Sequence, residues 1–271
     1  MGPAPEGPVH VVGDVHGQLA KVIHLLGAAQ LIDPDRLWTG GTIWTGGPAT
    51  LWFLGDFFDR GPSGIGVVDL AIRLQREAAS TGGAVQALLG NHEVLLLAAH
   101  HFGATPTGHG ETFLSDWQRN GGQADDLAGL TGAHIAWLAA LPAMARAGTS
   151  LLTHADATFY REYGNSMATV NLTITEILQG TSIKEWSTLL KQFVGRMAFD
   201  DNRLDGTAEA RSFLQQYEAT QLIHGHTPIS AMTGQADTAV TAPLIYAAGL
   251  CVNCDGGMYK GGPGFLYNLP G

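Results

Sequence analysis

The sequence predicts an α/β fold, and three observations carry that prediction. Three early segments share one grammar: a short apolar run, a glycine-containing turn, then a helical period. Further strand-like runs recur in the second half, separated by helical or loop-like stretches. The 271 residues, 45% hydrophobic and 14% charged, suffice to bury a large core with no disulfide or metal staple.

Taken in order, the first unit is the β-branched run Val9-His10-Val11-Val12, the turn GDVHG, and a helix marked by Leu19, Val22, Ile23 and Leu26. The second is Leu51-Trp52-Phe53-Leu54, then GDFFDRG, then a helix marked by Val67, Val68, Leu70, Ala71 and Leu74. The third runs from Ala84 to Leu89, through GNHE, into Leu95, Leu96 and Leu97. Residues 102–147, with Trp117 and Trp137, read as a mainly helical insertion beside the site. Later strands are expected at Ser150–Thr153, Gln221–Ile223, Ala239–Tyr246 and Phe265–Tyr267. No internal repeat or low-complexity linker divides the chain, so residues 1–271 read as one domain.

Composition excludes several functions. The chain has 14 basic and 24 acidic side chains, a formal charge of −10. That field opposes binding to nucleic acid, although a local cationic pocket is compatible with it. Two cysteines do not make a disulfide scaffold, and Cys251-Val-Asn-Cys254 is a lone CxxC without the second pair of a zinc site. No apolar run approaches the ~20 residues of a membrane helix. The opening MGPAPEGPVH has neither the basic nor the apolar stretch of a signal peptide, and Gly2 is not in a myristoylation pattern. The expectation is a soluble, cytoplasmic protein with no membrane partner.

The polar motifs all begin where an expected strand ends, and in open α/β sheets ligands bind outside the carboxyl ends of strands. GDVHG, GDFFDRG, GNHE, THA and HGHTP should therefore meet on one rim. They bring Asp14, His16, Asp56, Asp59, Arg60, Asn91, His92, His154, His224 and His226. Singly, each has a plain structural reading: Asp59-Arg60 as a solvated pair, His154 as a core histidine, His224 and His226 as one strand face. Jointly, carboxylate and imidazole without cysteine suit manganese, iron or zinc. Two such ions a few ångströms apart can activate a water and neutralise phosphate oxygens. Trp38, Trp44 and Trp52 read as core, and His100, His101 and His109 as a solvated border of the insertion.

GDVHG, GDFFDRG, GNHE, the single histidine of THA, and GHTP, in that order over residues 9–228, resemble the signature series of the phosphoprotein phosphatase superfamily of binuclear, calcineurin-like metallophosphoesterases. LWTGG, GHTP and Asp255-Gly256-Gly257 resemble the bacterial Shewanella-like phosphatases, and GRMAF is similar to a motif of the symmetrical diadenosine tetraphosphatases. The resemblance implies a β-sandwich of mixed sheets flanked by helices. It implies two divalent ions, manganese first with iron, zinc or a mixed pair as alternatives. One would be held by Asp14, His16 and Asp56, the other by Asp56, Asn91, His154 and His226, with Asp56 bridging. His92 would be the general acid, oriented by Asp59. Arg60 and a second arginine, Arg196 in preference to Arg203, would clamp phosphate. His224 would support the site without ligating.

The implied reaction is hydrolysis of a phosphomonoester of a protein, peptide or small molecule, by in-line attack of a metal-bridging hydroxide. The alternative is a diadenosine tetraphosphate-type nucleotide hydrolase. Two departures from the pattern stand out. Ala155 is followed by Asp156 rather than Gly, which reads as a partner of the site or a helix cap. Pro228 occupies the place of a further ligand in the generic GHxH motif.

Overall fold

The computed structural model of the protein describes residues 7–270 other than 38, 109, 203 and 204. Trp38, His109 and Arg203 therefore lie outside the described residues. Among the described residues nine strands form two mixed sheets. The first sheet is built from β1 (Val9–Val12), β2 (Thr50–Phe53), β3 (Ala84–Ala87) and the late β9 (Tyr267–Asn268), in the order β3-β2-β1-β9. The second has β4 (Met144–Ala147), β5 (Ser150–Thr153), β6 (Gln221–His224), β7 (Leu244–Tyr246) and β8 (Cys251–Asn253), in the order β4-β5-β6-β8-β7. In each sheet three adjacent strands are parallel, β3-β2-β1 and β5-β6-β8, and the pairings of β9, β4 and β7 onto them are antiparallel.

The strands are short and apolar on both faces because both faces are covered. Val11, Leu54, Leu88, Leu152, Ile223 and Val252 meet between the sheets. Their neighbours in sequence, Val12, Leu151, Leu222 and Cys251, point outward into the larger helix-covered core. That period of two, buried both ways, reads in the sequence as continuous apolar runs rather than alternation. The expected sandwich of mixed sheets flanked by helices is what forms.

Helices α1 (Leu19–Ala28), α2 (Gly64–Ala79) and α3 (Asn91–Phe102) follow the first three strands. Then come α4 (Phe113–Arg119), α5 (Ala124–Gly129) and α6 (Gly132–Ala139). The helical insertion thus ends before residue 144: the last four residues of the expected range, 144–147, form β4 against β5. Pairing decides this, since Met144–Ala147 has no periodicity of its own that favours a strand. Helices α7 (Met167–Gln179), α8 (Ile183–Phe193) and α9 (Gly206–Gln216) precede β6, and the short α10 (Ile229–Thr233) follows it. The strand expected over Ala239–Tyr246 is confined to Leu244–Tyr246, and β8 is a further strand beside it. Trp44 and Trp52 pack into the two apolar clusters. No helix among the described residues is long and apolar enough to cross a membrane.

Candidate metal centre and active site

Each parallel strand delivers one polar turn to a common rim. Asp14 and His16 follow β1, Asp56 follows β2, and Asn91 opens α3 just past β3. His154, His226 and Asp255 follow β5, β6 and β8. Asp14, His16, Asp56, Asn91, His92, His154, His226 and Asp255 are all buried. The turns are tight. Half of the ten described non-glycine residues with left-handed backbone are His16, Asp56, Asp59, Arg60 and His226. Such strain persists only where surrounding structure over-determines it.

Glu93 is the main restraint. Its carboxylate accepts the N–H groups of Asp56 (2.7 Å), Phe57 (2.8 Å) and Gly90 (2.9 Å). Burial pushes its carboxyl up to about 8, with the Asp56 charge adding to the effect. Gly90 is required by close approach: a Cβ there would meet Asp56 Oδ1 at 2.3 Å.

Asp56 turns its two oxygens to different neighbours. Oδ1 lies 3.3 Å from His154 Nε2, and Oδ2 lies 3.5 Å from His16 Nε2. His154 Nδ1 donates to the carbonyl of Leu54 (2.8 Å), and His16 Nδ1 donates to the carbonyl of Phe58 (2.8 Å). Carbonyls only accept, so the proton sits on Nδ1 in both rings. Burial lowers both imidazoles below their ordinary value, which leaves the rings neutral with Nε2 a bare lone pair. His154 Nε2 faces Asn91 Oδ1 (2.9 Å) and His226 Nδ1 (3.1 Å) as well as Asp56. His16 Nε2 faces Asp14 Oδ2 at 4.0 Å, a buried oxygen with no hydrogen-bond partner among the described residues.

Two groups of converging acceptors, sharing one carboxylate, fit divalent cations: nitrogen and oxygen donors with no thiolate suit manganese, iron or zinc. Asp56, His154 and His226 form one compact group, and His16, Asp56 and His92 another. Asp14 Oδ1 is engaged by the N–H of His226 (2.9 Å), which ties the β1 turn to the β6 turn. Burial, with the charges of Asp255 and Asp56 adding, raises Asp14 well above the usual carboxylate range.

His92 stands between a carboxylate and a guanidinium. Its Nδ1 lies 2.6 Å from Asp59 Oδ2, and Arg60 Nη2 donates to its Nε2 at 2.9 Å. Asp59 also accepts the indole N–H of Trp117 (2.8 Å), so the insertion locks the aspartate. Arg60 Nη1 reaches His16 Nε2 at 2.8 Å, and its guanidinium lies over the ring of Tyr259, 4.3 Å from the centroid. Arg196 is exposed on the turn after α8, on the His154–His226 side of the rim, where its charge helps to lower both imidazoles.

The structure therefore brings together Asp14, His16, Asp56, Asp59, Arg60, Asn91, His92, His154 and His226, and leaves Arg196 exposed on a turn from which its charge reaches the last two imidazoles. Sequence reasoning did not assign Glu93, Trp117, Tyr259 or Asp255. Asp255 Oδ1 accepts from Gly257 N at 2.9 Å, while Oδ2 is buried without a partner among the described residues, and burial pushes the carboxyl up to about 7. Its signal was present, since CDGG repeats the strand-end Asp-Gly grammar, but the three-residue β8 before it was missed. His224 does not face the acceptor groups; its Nε2 is paired with Tyr246 Oη at 2.8 Å. Cys251 and Cys254 are free and buried, and burial raises both thiols, which leaves them unreactive packing groups.

Comparison with known proteins places this arrangement. Over 84 residues the chain is 34% identical to Shewanella-like protein phosphatase 2 of Arabidopsis thaliana, covering 31% of this chain and 20% of that protein. Over 91 residues it is 33% identical to a symmetrical bis(5'-nucleosyl)-tetraphosphatase of Yersinia pestis, covering 34% of this chain and 25% of the relative. The matches thus span a quarter or less of the length of these curated relatives. The cold-active protein-tyrosine phosphatase of a psychrophilic Shewanella shares the fold, with a TM-score of 0.69 at 21% identity over 97% of this chain and 75% of that one. The calcineurin-like phosphoesterase family matches residues 7–230. That span takes in every strand-end motif except the last, CDGG, and the protein belongs to the calcineurin-like phosphoesterase family.

Proposed function

We propose that the protein is a metal-dependent phosphomonoesterase that acts on phosphorylated protein or peptide. The observation that carries this reading is the division of Asp56 between two acceptor groups, with Arg60 and His92 beside them. The family implies divalent metal ions. In this reading Asp14, His16 and Asp56 hold one ion, and Asp56, Asn91, His154 and His226 hold the second, with manganese the first candidate. Bound there, two divalent ions supply positive charge for the phosphate oxygens and lower the pKa of a water.

The chain's own groups do the rest. Arg60 presents a planar guanidinium suited to two phosphate oxygens, and Arg196, whose charge acts on His154 and His226, is the second arginine for the clamp. When Arg60 turns from His92 Nε2 to the phosphate, that nitrogen is free to take up a proton and give it to the leaving oxygen, while Asp59 holds Nδ1–H and stabilises the charged ring. His92 fits the acid role better than His16 because its Nδ1 rests on the Asp59 carboxylate, which stabilises a charged ring, whereas His16 Nδ1 rests on the neutral carbonyl of Phe58. A cleft of about 440 Å³ lies between α3, α4 and α8, lined not by the site residues themselves but by neighbours of theirs along the chain. It is lined by Leu95, one turn along α3 from His92, by Asn120 next to the Gly121 carbonyl that accepts Arg60 N, and by Val194. It takes the body of the leaving group.

Charge favours a single phosphate over a polyphosphate. In that cleft Arg119 is engaged by Glu111 and Asp116, which leaves Lys191 as its other cation. A dinucleoside tetraphosphate would need further free cations near the clamp.

The test is a panel of phosphoserine, phosphothreonine and phosphotyrosine peptides, an aryl phosphate and diadenosine tetraphosphate, assayed with manganese. The monoesters should show the higher kcat/KM. An advantage of about tenfold or more for the dinucleotide, ~1.4 kcal/mol in transition-state binding, would replace this reading with the nucleotide-hydrolase alternative.

A further inference from the structure

Asp156 departs from the sequence pattern, and the structure gives it a position no cap or ligand role explains. It is fully buried, two residues beyond His154. Its Oδ1 accepts the N–H of Met197 at 2.8 Å, and its main-chain carbonyl accepts the N–H of Ala198 at 2.9 Å. Met197 has a left-handed backbone (φ 59°), unusual for a residue with an unbranched side chain. Arg196 is the residue before it. The arginine-bearing turn is thus hung from Asp156 by two consecutive N–H groups.

The other carboxylate oxygen faces inward. Oδ2 accepts the Tyr246 hydroxyl at 2.8 Å, and that hydroxyl lies 2.8 Å from His224 Nε2. His224 ends β6, two residues before His226. One buried chain of contacts therefore links the turn that carries Arg196 to the strand ends that carry His154 and His226. Arg196 itself is exposed, and among the described residues its side chain is tethered by a long contact in which Nε donates to the carbonyl of Val194 at 3.5 Å. Without a buried anchor nothing would hold such a side chain at a fixed distance from the two histidines.

We propose that Asp156 is a positioning residue: by fixing the Gly195–Ala198 turn to the end of β5 it sets Arg196 over the His154–His226 side of the site, and so sets affinity for the substrate's phosphate. This rests on the reading of Arg196 as a phosphate clamp. Asp156 touches neither the substrate nor the acceptor groups. Its loss frees a long side chain that must be re-ordered each time phosphate binds.

The experiment is a double-mutant cycle with the manganese-loaded protein, read by KM, by kcat and by calorimetric affinity for inorganic phosphate. Asp156→Ala should raise KM and weaken phosphate binding about threefold to tenfold, the cost of ordering one rotamer-rich side chain, with kcat within about twofold. Asp156→Asn keeps an oxygen for Met197 N–H and should restore affinity to within about twofold. In an Arg196→Ala background, Asp156→Ala should change nothing further. Manganese content, measured by elemental analysis, should be unchanged throughout.

If Arg196→Ala alone leaves KM and phosphate affinity unchanged, the clamp reading fails. If Arg196→Ala weakens binding but Asp156→Ala weakens it equally in both backgrounds, the clamp stands and the positioning role is overturned. Loss of manganese in Asp156→Ala would likewise overturn it, as evidence of a general effect on the centre. Should Asp156→Ala fail to fold, Tyr246→Phe takes its place. It removes only the partner of Oδ2, and should raise KM about twofold to threefold in the Arg196 background and not in Arg196→Ala; an equal effect in both overturns the proposal.

Discussion

Asp59→Asn tests the acid–base apparatus with the smallest possible change. Asp59 serves two donors, His92 Nδ1 at 2.6 Å and Trp117 Nε1 at 2.8 Å, and an asparagine offers one oxygen for both. Trp117 is buried and its indole can only donate, so leaving it unpaired costs about 1–3 kcal/mol. The amide oxygen therefore turns to Trp117, and the amide nitrogen faces His92. His92 Nδ1 must then accept, and its proton moves to Nε2, where Arg60 Nη2 already donates at 2.9 Å. The ring meets donors on both sides and has no anion to stabilise its charged form. A hydrogen bond to a charged group is worth about 1.5–3 kcal/mol, which corresponds to a loss of roughly 10- to 100-fold in kcat.

The assay is kcat for aryl monoesters of graded leaving-group basicity. The loss should grow as the leaving group becomes poorer. In a His92→Ala background, itself down by roughly 10²–10⁴-fold for poor leaving groups, Asp59→Asn should cost less than about twofold more. A loss uniform across leaving groups, or undiminished on top of His92→Ala, would refute the assignment of His92 as acid and Asp59 as its support.

Three other outcomes follow from the same geometry. Asp56→Asn removes the charge common to both acceptor groups, and elemental analysis should show loss of bound metal; retention of two tightly held ions would sink the bridging role. Gly90→Ala places a Cβ 2.3 Å from Asp56 Oδ1 and 2.5 Å from its N, so the backbone must shift; overpacking of about 1–3 kcal/mol should lower Tm by roughly 2–10 °C, and an unchanged melt with full metal content would contradict the tight approach. The metal-stripped protein should lose stability as pH rises from about 4 towards 7: Asp255, raised from 3.8 to about 7, keeps its proton in the folded state while the unfolded chain has released it. Asp255→Asn should flatten that slope in thermal melts under chelator, and an identical slope in both proteins would remove Asp255 as its source.

How much was legible in the sequence follows from how each residue is placed. GDVHG, GDFFDRG, GNHE, THA and HGHTP could be read because glycine-flanked polar residues directly after apolar runs sit, by topology alone, at the carboxyl ends of strands. The site carboxylates and imidazoles among them are one-dimensional features. The helices α1 to α3 were likewise visible through their periods. The residues that restrain the site were not. Glu93 looks like an ordinary residue of the first turn of α3, and only the folded turn shows it accepting three N–H groups. Trp117 is distant in sequence from Asp59, and Tyr259 still more distant from Arg60. Residues 144–147 became a strand by pairing with β5, and β8 is too short at three residues to announce itself, so Asp255 behind it went unassigned. Chemistry carried by residue type at strand ends is thus determined by the sequence itself. Which oxygen of Asp56 faces which histidine, and what holds His92 and Arg196 in place, was decided only by long-range packing and hydrogen bonds, because these depend on where distant segments meet.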